Sequence, residues 1–140
     1  MKSVAIQMGL KVNSSIDERK DFEKCAQGAA KLLSTVCIPE TNKLLEARGV
    51  QYSQSDLWYK LLVLHVYHAG AYNVGKALNC IPKEQMNGNK IITNLWDVEC
   101  GSFRNASQNY TQVALASLIQ LENIVLQHCE TIEMLATFEN

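Results

Sequence analysis

The chain has 140 residues, of which 47% are hydrophobic, and its formal net charge is -1. This length is typical of one domain, and the apolar share is large enough to form a core without stabilising disulfides or metals. A nucleic-acid-binding surface normally carries a clear basic excess, so the charge balance argues against that partner. No apolar run approaches the roughly 20 residues needed to span a bilayer, so no transmembrane segment is predicted.

The cysteines follow no recognisable spacing; they are Cys25, Cys37, Cys80, Cys100 and Cys129. Because no Cys-x-x-Cys pair and no Cys/His cluster of zinc spacing occurs, neither a metal site nor a cofactor is predicted. An odd count argues against a full disulfide framework. We expect buried thiols, with one disulfide as the alternative if the domain is exported. No signal peptide is visible at the start, and the sequence leaves the cellular compartment open.

Helical periodicity dominates the first third of the chain. Ser15 to Glu18 fits a capping box, and Asp21 offers a second N-cap. Apolar residues then recur at helical spacing from Phe22 to Val36. Pro39 is expected to end this helix, and a short helix is predicted from about Glu40 to Ala47.

The remainder of the chain also favours helices. Leu57 to Tyr67 has apolar residues on nearly all sides, which predicts the central buried helix. Tyr72 to Leu78 predicts a further short helix, and Met86 to Lys90 is the most loop-like stretch. Ile91 to Val98 suits either a strand or a helix. A long helix is predicted from about Asn105 or Ser107 to Ala136, so the fold class is all-α. No repeat or linker divides the chain, and residues 1–140 are predicted to form one domain.

The segment Trp58 to Leu78, WYKLLVLHVYHAGAYNVGKAL, resembles a motif of peptidoglycan lytic transglycosylases. In that family a tryptophan-bearing helix leads into Tyr-Asn-Ala-Gly, two further residues and a valine. The residues that match are Tyr67, Ala69, Gly70 and Val74. His68 and Tyr72 depart from the pattern, which usually has Asn and often Gly there. Small residues at a helix end let the backbone approach a sugar closely; the alternative is a helix terminus with core aromatics.

A second family stretch is similar to Met8 to Leu33. It reads Gly-Leu-x-Val, then Asp-x-Arg-x-Asp, then a helix with an Ala-Ala pair. The residues that match in order are Gly9, Leu10, Val12, Asp17, Arg19, Asp21, Ala29 and Ala30. Their types predict a turn, a capped helix start and a tight packing face. None of them is expected to perform chemistry.

A third segment, Gly101 to Ala116, resembles a family stretch that reads roughly Gly-Phe-Ala-Ser-Arg-Asn-Phe-Tyr before an apolar helix. The residues that match are Phe103, Ala106, Ser107 and Asn109, and Tyr110 keeps an aromatic. Gln108 replaces the usual Arg. Dense hydrogen-bonding groups together with aromatics suit a sugar ligand. The same residues also suit an ordinary helix cap with a polar first turn.

The resemblance is strongest over residues 1–120 and implies a lysozyme-like helical domain, N-terminally truncated relative to the family. It implies action on, or binding of, the β-1,4-linked N-acetylmuramic acid–N-acetylglucosamine glycan of peptidoglycan in the cell envelope. The family cleaves this bond with one glutamate, which precedes a segment whose match here would begin at Met1. The catalytic glutamate is therefore not expected in this chain, which alone is predicted to be inactive. Glu99 is the least obviously exposed glutamate present.

The resemblance also brings the end of the central helix together with the first turns of the last helix at the sugar-binding cleft. The predicted substrate-binding groove consists of Tyr67, His68, Asn73, Asn109 and Tyr110. Two alternatives stay open: a non-catalytic glycan-binding relative and an all-helical protein-interaction module. Because the family's N-terminal portion precedes Met1, an exposed apolar patch is expected to remain and to favour a homodimer.

Overall fold

A computed structural model describes residues 2–138 of the chain, with side chains described for residues 2–128. The described residues form seven α-helices: α1 Lys2–Gln7, α2 Phe22–Leu32, α3 Ile38–Glu46, α4 Leu57–Ala69, α5 Ala71–Asn79, α6 Gly88–Asp97 and α7 Ala106–Phe138. Two 3₁₀ turns, Glu18–Lys20 and Lys83–Gln85, and a π-helical turn, Leu33–Cys37, are also present. Extended pairing in this part of the chain is limited to two isolated bridges. The predicted all-α class is therefore confirmed.

The start of α2 is fixed by Asp21, whose side chain accepts a hydrogen bond from the Lys24 amide at 3.0 Å. The capping box predicted at Ser15 does not form. The Ser15 amide instead donates to Asn13 Oδ1 at 2.9 Å, in a turn closed by the asparagine side chain. Asp17 caps the first 3₁₀ turn and forms a 2.6 Å ion pair with Arg19. The second N-cap candidate is thus the one that begins the helix.

Tight packing on α2 occurs one residue before the predicted Ala-Ala pair. Gly28 is buried, and a Cβ atom added there would collide with the side chain of Leu10. Ala29 is half-buried and Ala30 is exposed. The close approach of the N-terminal segment to α2 therefore depends on Gly28, which no motif had singled out.

Pro39 does not end the first long helix, contrary to the prediction. The chain passes from α2 through the π-helical turn into α3, and Pro39 lies in the first turn of α3. A proline ring normally collides with the carbonyl four residues earlier. In the π-helical turn the Ile38 amide donates to the carbonyl of Leu33, five residues back. This wider turn makes room for the proline, so the helical path continues.

Helix α4 occupies the position predicted for the central helix and contacts α3, α5, α6 and α7. Its buried residues are Trp58, Tyr59, Leu61, Leu62, Val63, His65 and Val66. Leu64 is half-buried, whereas Leu57 and Tyr67 at the two ends are exposed. The apolar circumference thus predicts burial correctly for the middle of the helix and not for its ends.

The ambiguous segment Ile91 to Val98 is helical as far as Asp97, because Ile91, Ile92 and Leu95 lie on one side of α6 and are all buried. The predicted loop from Met86 is shorter than expected, since α6 already begins at Gly88. The predicted last helix corresponds to α7, but the side chain of Ala136, where the predicted helix ends, lies outside the described ones.

Two cysteines that the sequence suggested as buried thiols form a disulfide. The bond joins Cys80, at the end of α5, to Cys100, in the loop after α6. Cys37 is free and buried, and Cys25 is free and exposed; the side chain of Cys129 is outside the described part. One disulfide was the alternative tied to export, since such bonds persist in oxidising compartments. Among the described residues, no helix combines the length and the apolar character needed to cross a membrane.

Arg48 links the end of α3 to α5. Its Nη1 donates to the Leu44 carbonyl at 2.7 Å, and its Nη2 donates to the Gly75 carbonyl at 2.8 Å and to Asn79 Oδ1 at 2.6 Å. Burial lowers the pKa of Arg48 from its usual value, but a guanidinium remains charged at any ordinary pH. One charged donor thus joins a carbonyl in the last turn of α3 to a backbone carbonyl and a side chain of α5.

Replacing Arg48 by methionine is expected to lower the free energy of unfolding by about 2 kcal/mol, because the apolar stem stays while the charge-assisted hydrogen bonds are lost. Urea unfolding followed by circular dichroism measures this change. The matched control is Arg104→Met, at an exposed arginine, which is expected to change stability by no more than about 0.5 kcal/mol. Equal losses in both variants would contradict the role given to Arg48.

Candidate functional site

The end of α4 and the beginning of α7 meet through two aromatic rings. His68, in the last turn of α4, stacks on Tyr110 of α7 with ring centroids 4.1 Å apart and an angle of 11° between the planes. Gly70 ends α4 with a φ of 81°, a conformation that favours glycine, and α5 begins at the next residue. The chain therefore turns away directly after His68 and leaves this stacked pair at the surface.

Tyr67 lies near Tyr110 of the stacked pair, whereas Asn73 is hydrogen-bonded to the last residue of α4 and to the loop that precedes α7. Tyr67 is 36% exposed. Burial raises the pKa of Tyr110 above its usual value, and the nearby Tyr67 adds to this rise, so Tyr110 keeps its proton and can donate a hydrogen bond at neutral pH. The Asn73 amide donates to the Ala69 carbonyl at 2.8 Å, and its oxygen accepts from Ser102 Oγ at 3.0 Å. Asn73 is therefore already engaged in holding the loop that precedes α7.

Asn109 is the predicted site residue that the contacts do not join to the others. It is exposed, and its backbone amide donates to the Asn105 carbonyl at 3.0 Å. In the described part of the chain no hydrogen bond links its side chain to the other four residues. Of the five predicted residues, His68 and Tyr110 are in direct contact, and Tyr67 lies near Tyr110. Asn73 is hydrogen-bonded to the loop that precedes α7, and Asn109 is exposed to solvent. That these residues form one concave surface stays a prediction.

The loop between α6 and α7 and the first turn of α7 contribute residues that the sequence did not single out as part of the site. Gln108, which stands where the resembling family has arginine, donates from Nε2 to the Val98 carbonyl at 2.8 Å and accepts from the Asn105 amide at 2.7 Å. Asn105 has a φ of 51°, which asparagine tolerates better than most residues. Phe103 is fully buried. Of these, only Phe103 carried a sequence signal, as a motif match.

A buried polar chain lies behind the site. Trp96 Nε1 donates to Thr111 Oγ1 at 2.9 Å, and Thr111 Oγ1 lies 2.8 Å from His65 Nε2. Because an indole can only donate, the threonine proton is free for His65. His65 and Thr111 are both fully buried, and His65 packs against Phe103 with ring centroids 5.6 Å apart. This chain joins α4, α6 and α7 immediately beneath the stacked rings.

Burial lowers the pKa of His65 from 6.5 to about 4; the Ser107 carbonyl opposes this shift, and His68 adds to it. His65 Nδ1 is also buried without a hydrogen-bond partner among the described residues. The folded protein therefore holds His65 neutral at neutral pH, whereas the unfolded chain protonates it below about pH 6.5. Its contribution to stability is complete above that pH and is lost as the pH falls towards 4.

The free energy of unfolding is therefore expected to fall by about 2 kcal/mol between pH 7 and pH 5 through His65 alone. Urea unfolding at several pH values measures this slope, and His65→Gln is expected to flatten it. The control is His128→Gln, at an exposed histidine of α7 away from His65, which is expected to leave the slope unchanged. A slope that survives in His65→Gln would show that another group titrates.

Two cavities lie elsewhere in the fold. One, of about 380 Å³, contains Lys11, Lys24 and Lys31 in its lining, together with Glu18. The other, of about 360 Å³ and mostly apolar, lies between the π-helical turn and α4, beside Tyr59. Neither cavity includes a residue of the predicted groove. No group of three or more potential metal ligands occurs among the described residues. No protein-family model matches the chain, and comparisons with curated proteins and with solved structures gave no match.

Proposed function

We propose that this chain is a lytic-transglycosylase-like domain that binds the β-1,4-linked N-acetylmuramic acid–N-acetylglucosamine glycan of peptidoglycan without cleaving it. The observation that carries the proposal is the contact between His68 and Tyr110. These residues come from two segments that are 42 positions apart in the sequence, and the family resemblance independently assigns both segments to the sugar-binding cleft. A lysozyme-like arrangement and a place in the cell envelope belong to the same proposal.

The chemistry of these side chains suits a neutral sugar. Aromatic faces pack against the apolar side of a pyranose ring, and the phenol of Tyr67 together with the amide of Asn109 supplies exposed polar groups. Neither of these residues is a carboxylate or an ammonium group. The site offers stacking and directional hydrogen bonds rather than charge, which fits N-acetylated sugars better than a phosphorylated ligand.

Titration with N-acetylglucosamine tetrasaccharide, followed through backbone amide NMR shifts, tests glycan binding. Shifts are expected to cluster at residues 67–73 and 105–111, with a dissociation constant on the order of 1 mM for so open a site. Tyr110→Ala is expected to weaken binding about tenfold, because it removes the stacked face.

Phe22→Ala is the matched control, since Phe22 is an aromatic side chain that is 89% exposed on α2. It should leave the sugar affinity unchanged. Shifts that are scattered over the surface, or equal losses in both variants, would leave these residues with a structural role only and end the glycan proposal.

None of the glutamates whose side chains the structure describes has the surroundings of a glycosidic acid. Such a residue keeps its proton at neutral pH only in a poorly solvated site. Glu99, which the sequence left as the least obviously exposed, is exposed in the structure. The glutamates with described side chains are half-buried or exposed: Glu18, Glu23, Glu40, Glu46, Glu84, Glu99 and Glu122. Glu18 is the best connected, but its bonds to Lys11 and Lys24 lower its pKa.

Purified peptidoglycan incubated with the 140-residue chain is therefore expected to release no 1,6-anhydromuropeptides above the buffer control. Mass spectrometry of the soluble fraction measures the product. Release that disappears in Glu99→Gln would overturn this expectation and assign the acid to Glu99. The homodimer expected from the sequence also remains a proposal.

A further inference from the structure

The distal part of α7 is an apolar helix without a partner in the described fold. From Ala116 to His128 every side chain is exposed. Helix α7 begins in the core, where Thr111 is fully buried, and its backbone continues to Phe138. Large apolar side chains that stay roughly half exposed along a helix are unusual on an isolated soluble domain and mark an interaction surface.

Five exposed apolar side chains of α7 share one side of the helix. At 3.6 residues per turn they fall within about 140° of the circumference, and each is between 49% and 62% exposed; they are Val113, Leu118, Leu121, Ile124 and Val125. We call them the α7 seam. Leu118, Leu121 and Val125 have the alternating spacing of three and four residues that is typical of helices that pair. Asn123 lies on the opposite side, between the exposed Ile119 and Leu126.

The α7 seam continues a face that already packs within the chain. Thr111, Leu118 and Val125 follow one another at seven-residue steps, so they lie along nearly the same line of the helix. Thr111 is buried against α4 through its contact with His65. Leu118 and Val125, on the same side of the helix, are about half exposed, although both are more apolar than threonine. The first turns of α7 thus show how this face packs, and the later turns lack the matching surface.

The area of the seam fits a weak symmetric pair. Five large apolar side chains at about half exposure, each with at most roughly 150 Å² of surface, present about 400 Å². Two copies that bury the same patch would remove about 800 Å², the size of a weak, transient interface that dissociates on dilution. A two-fold pair also requires a self-complementary patch, and an apolar seam with one charged residue between Val113 and His128, Glu122, provides it.

We propose that the partner of the α7 seam is the same seam of a second copy of this chain. A lipid surface is the poorer match, because helices that lie on membranes rely on lysine and arginine, and α7 contains neither. The pairing buries the seam of each copy and leaves the opposite side, with Ile119, Asn123 and Leu126, exposed. It does not depend on glycan binding, because none of the five seam residues belongs to the predicted groove.

Analytical ultracentrifugation of the full chain between about 1 and 100 µM tests the proposal. The wild type is expected to sediment as a dimer that dissociates on dilution. Leu121→Glu places a carboxylate in the middle of the seam and is expected to raise the dissociation constant roughly 100-fold. Asn123→Glu adds the same charge to the opposite side of the same helix and is expected to leave the constant within about threefold of wild type.

Two further measurements keep the outcome clear. Non-reducing gels exclude a covalent pair through the exposed Cys25, and circular dichroism checks that both variants fold. A wild-type monomer at about 100 µM, or equal dissociation of both variants, overturns the proposal. So does a monomer that floats with phosphatidylcholine vesicles, which would assign the seam to a membrane. The tetrasaccharide titration repeated on Leu121→Glu reports glycan binding separately, so failure of either proposal leaves the other measurable.

Discussion

The docking of the first turns of α7 on α4 is the contact on which the rest of the structure depends. It is held from within by His65, whose Nε2 shares the hydroxyl of Thr111 with the indole of Trp96. Those three side chains come from α4, α7 and α6, so one buried polar chain sets the relative positions of three helices. Leaving a buried polar group unpaired costs roughly 1–3 kcal/mol, about twice what a made hydrogen bond contributes, and this chain therefore favours one arrangement over similar apolar packings. The stacked surface pair of His68 and Tyr110 follows from it.

The loop before α7 is the second requirement, because it decides where the long helix begins. One disulfide and two sets of side-chain hydrogen bonds hold this loop in place. The Cys80–Cys100 disulfide ties it to the end of α5, the side chain of Asn73 accepts a hydrogen bond from Ser102, and Gln108 bonds the backbone at both ends of the loop. A covalent bond limits the freedom of the unfolded chain, whereas the two amides select one folded path. Tyr110 is consequently presented by a fixed helix start.

The sequence predicted most of the helices because burial and periodicity are local properties. The middle of α4 and the ambiguous segment at Ile91 both followed the rule that an apolar face is a buried face. The errors came from interactions that periodicity does not contain. Pro39 was accommodated by a wider turn, and Asn13 took the Ser15 amide from the predicted cap. The pairing of Cys80 with Cys100 depends on the three-dimensional path of the chain, and their spacing of 20 residues could not reveal it.

The candidate site likewise contains residues that the sequence could indicate and residues whose role only the folded structure defines. Its aromatic members were found through motif resemblance, and the stacking of His68 on Tyr110 agrees with the expected meeting of the two segments. The positioning residues, Ser102 and Gln108, act through hydrogen bonds that only the folded loop defines, so residue type alone gave no reason to select them. The buried role of His65 was likewise hidden, since a histidine among apolar residues has the same sequence signature whether it is a ligand or part of a core.

The two proposed surfaces of α7 follow one another along the helix. Leu121, in the middle of the seam, follows Tyr110 by 11 positions, which is about 16 Å along the helix axis at 1.5 Å per residue. Val113, the first seam residue, is only three positions from Tyr110, so the seam begins about one turn beyond the stacked rings. Because both surfaces belong to one continuous helix, the proposed symmetric pair would hold the two proposed glycan sites at a fixed separation. Two weak sites on one polymeric strand bind more tightly than one, since the second contact becomes intramolecular. If both proposals hold, weak binding by each single site would therefore be sufficient for attachment to a long glycan.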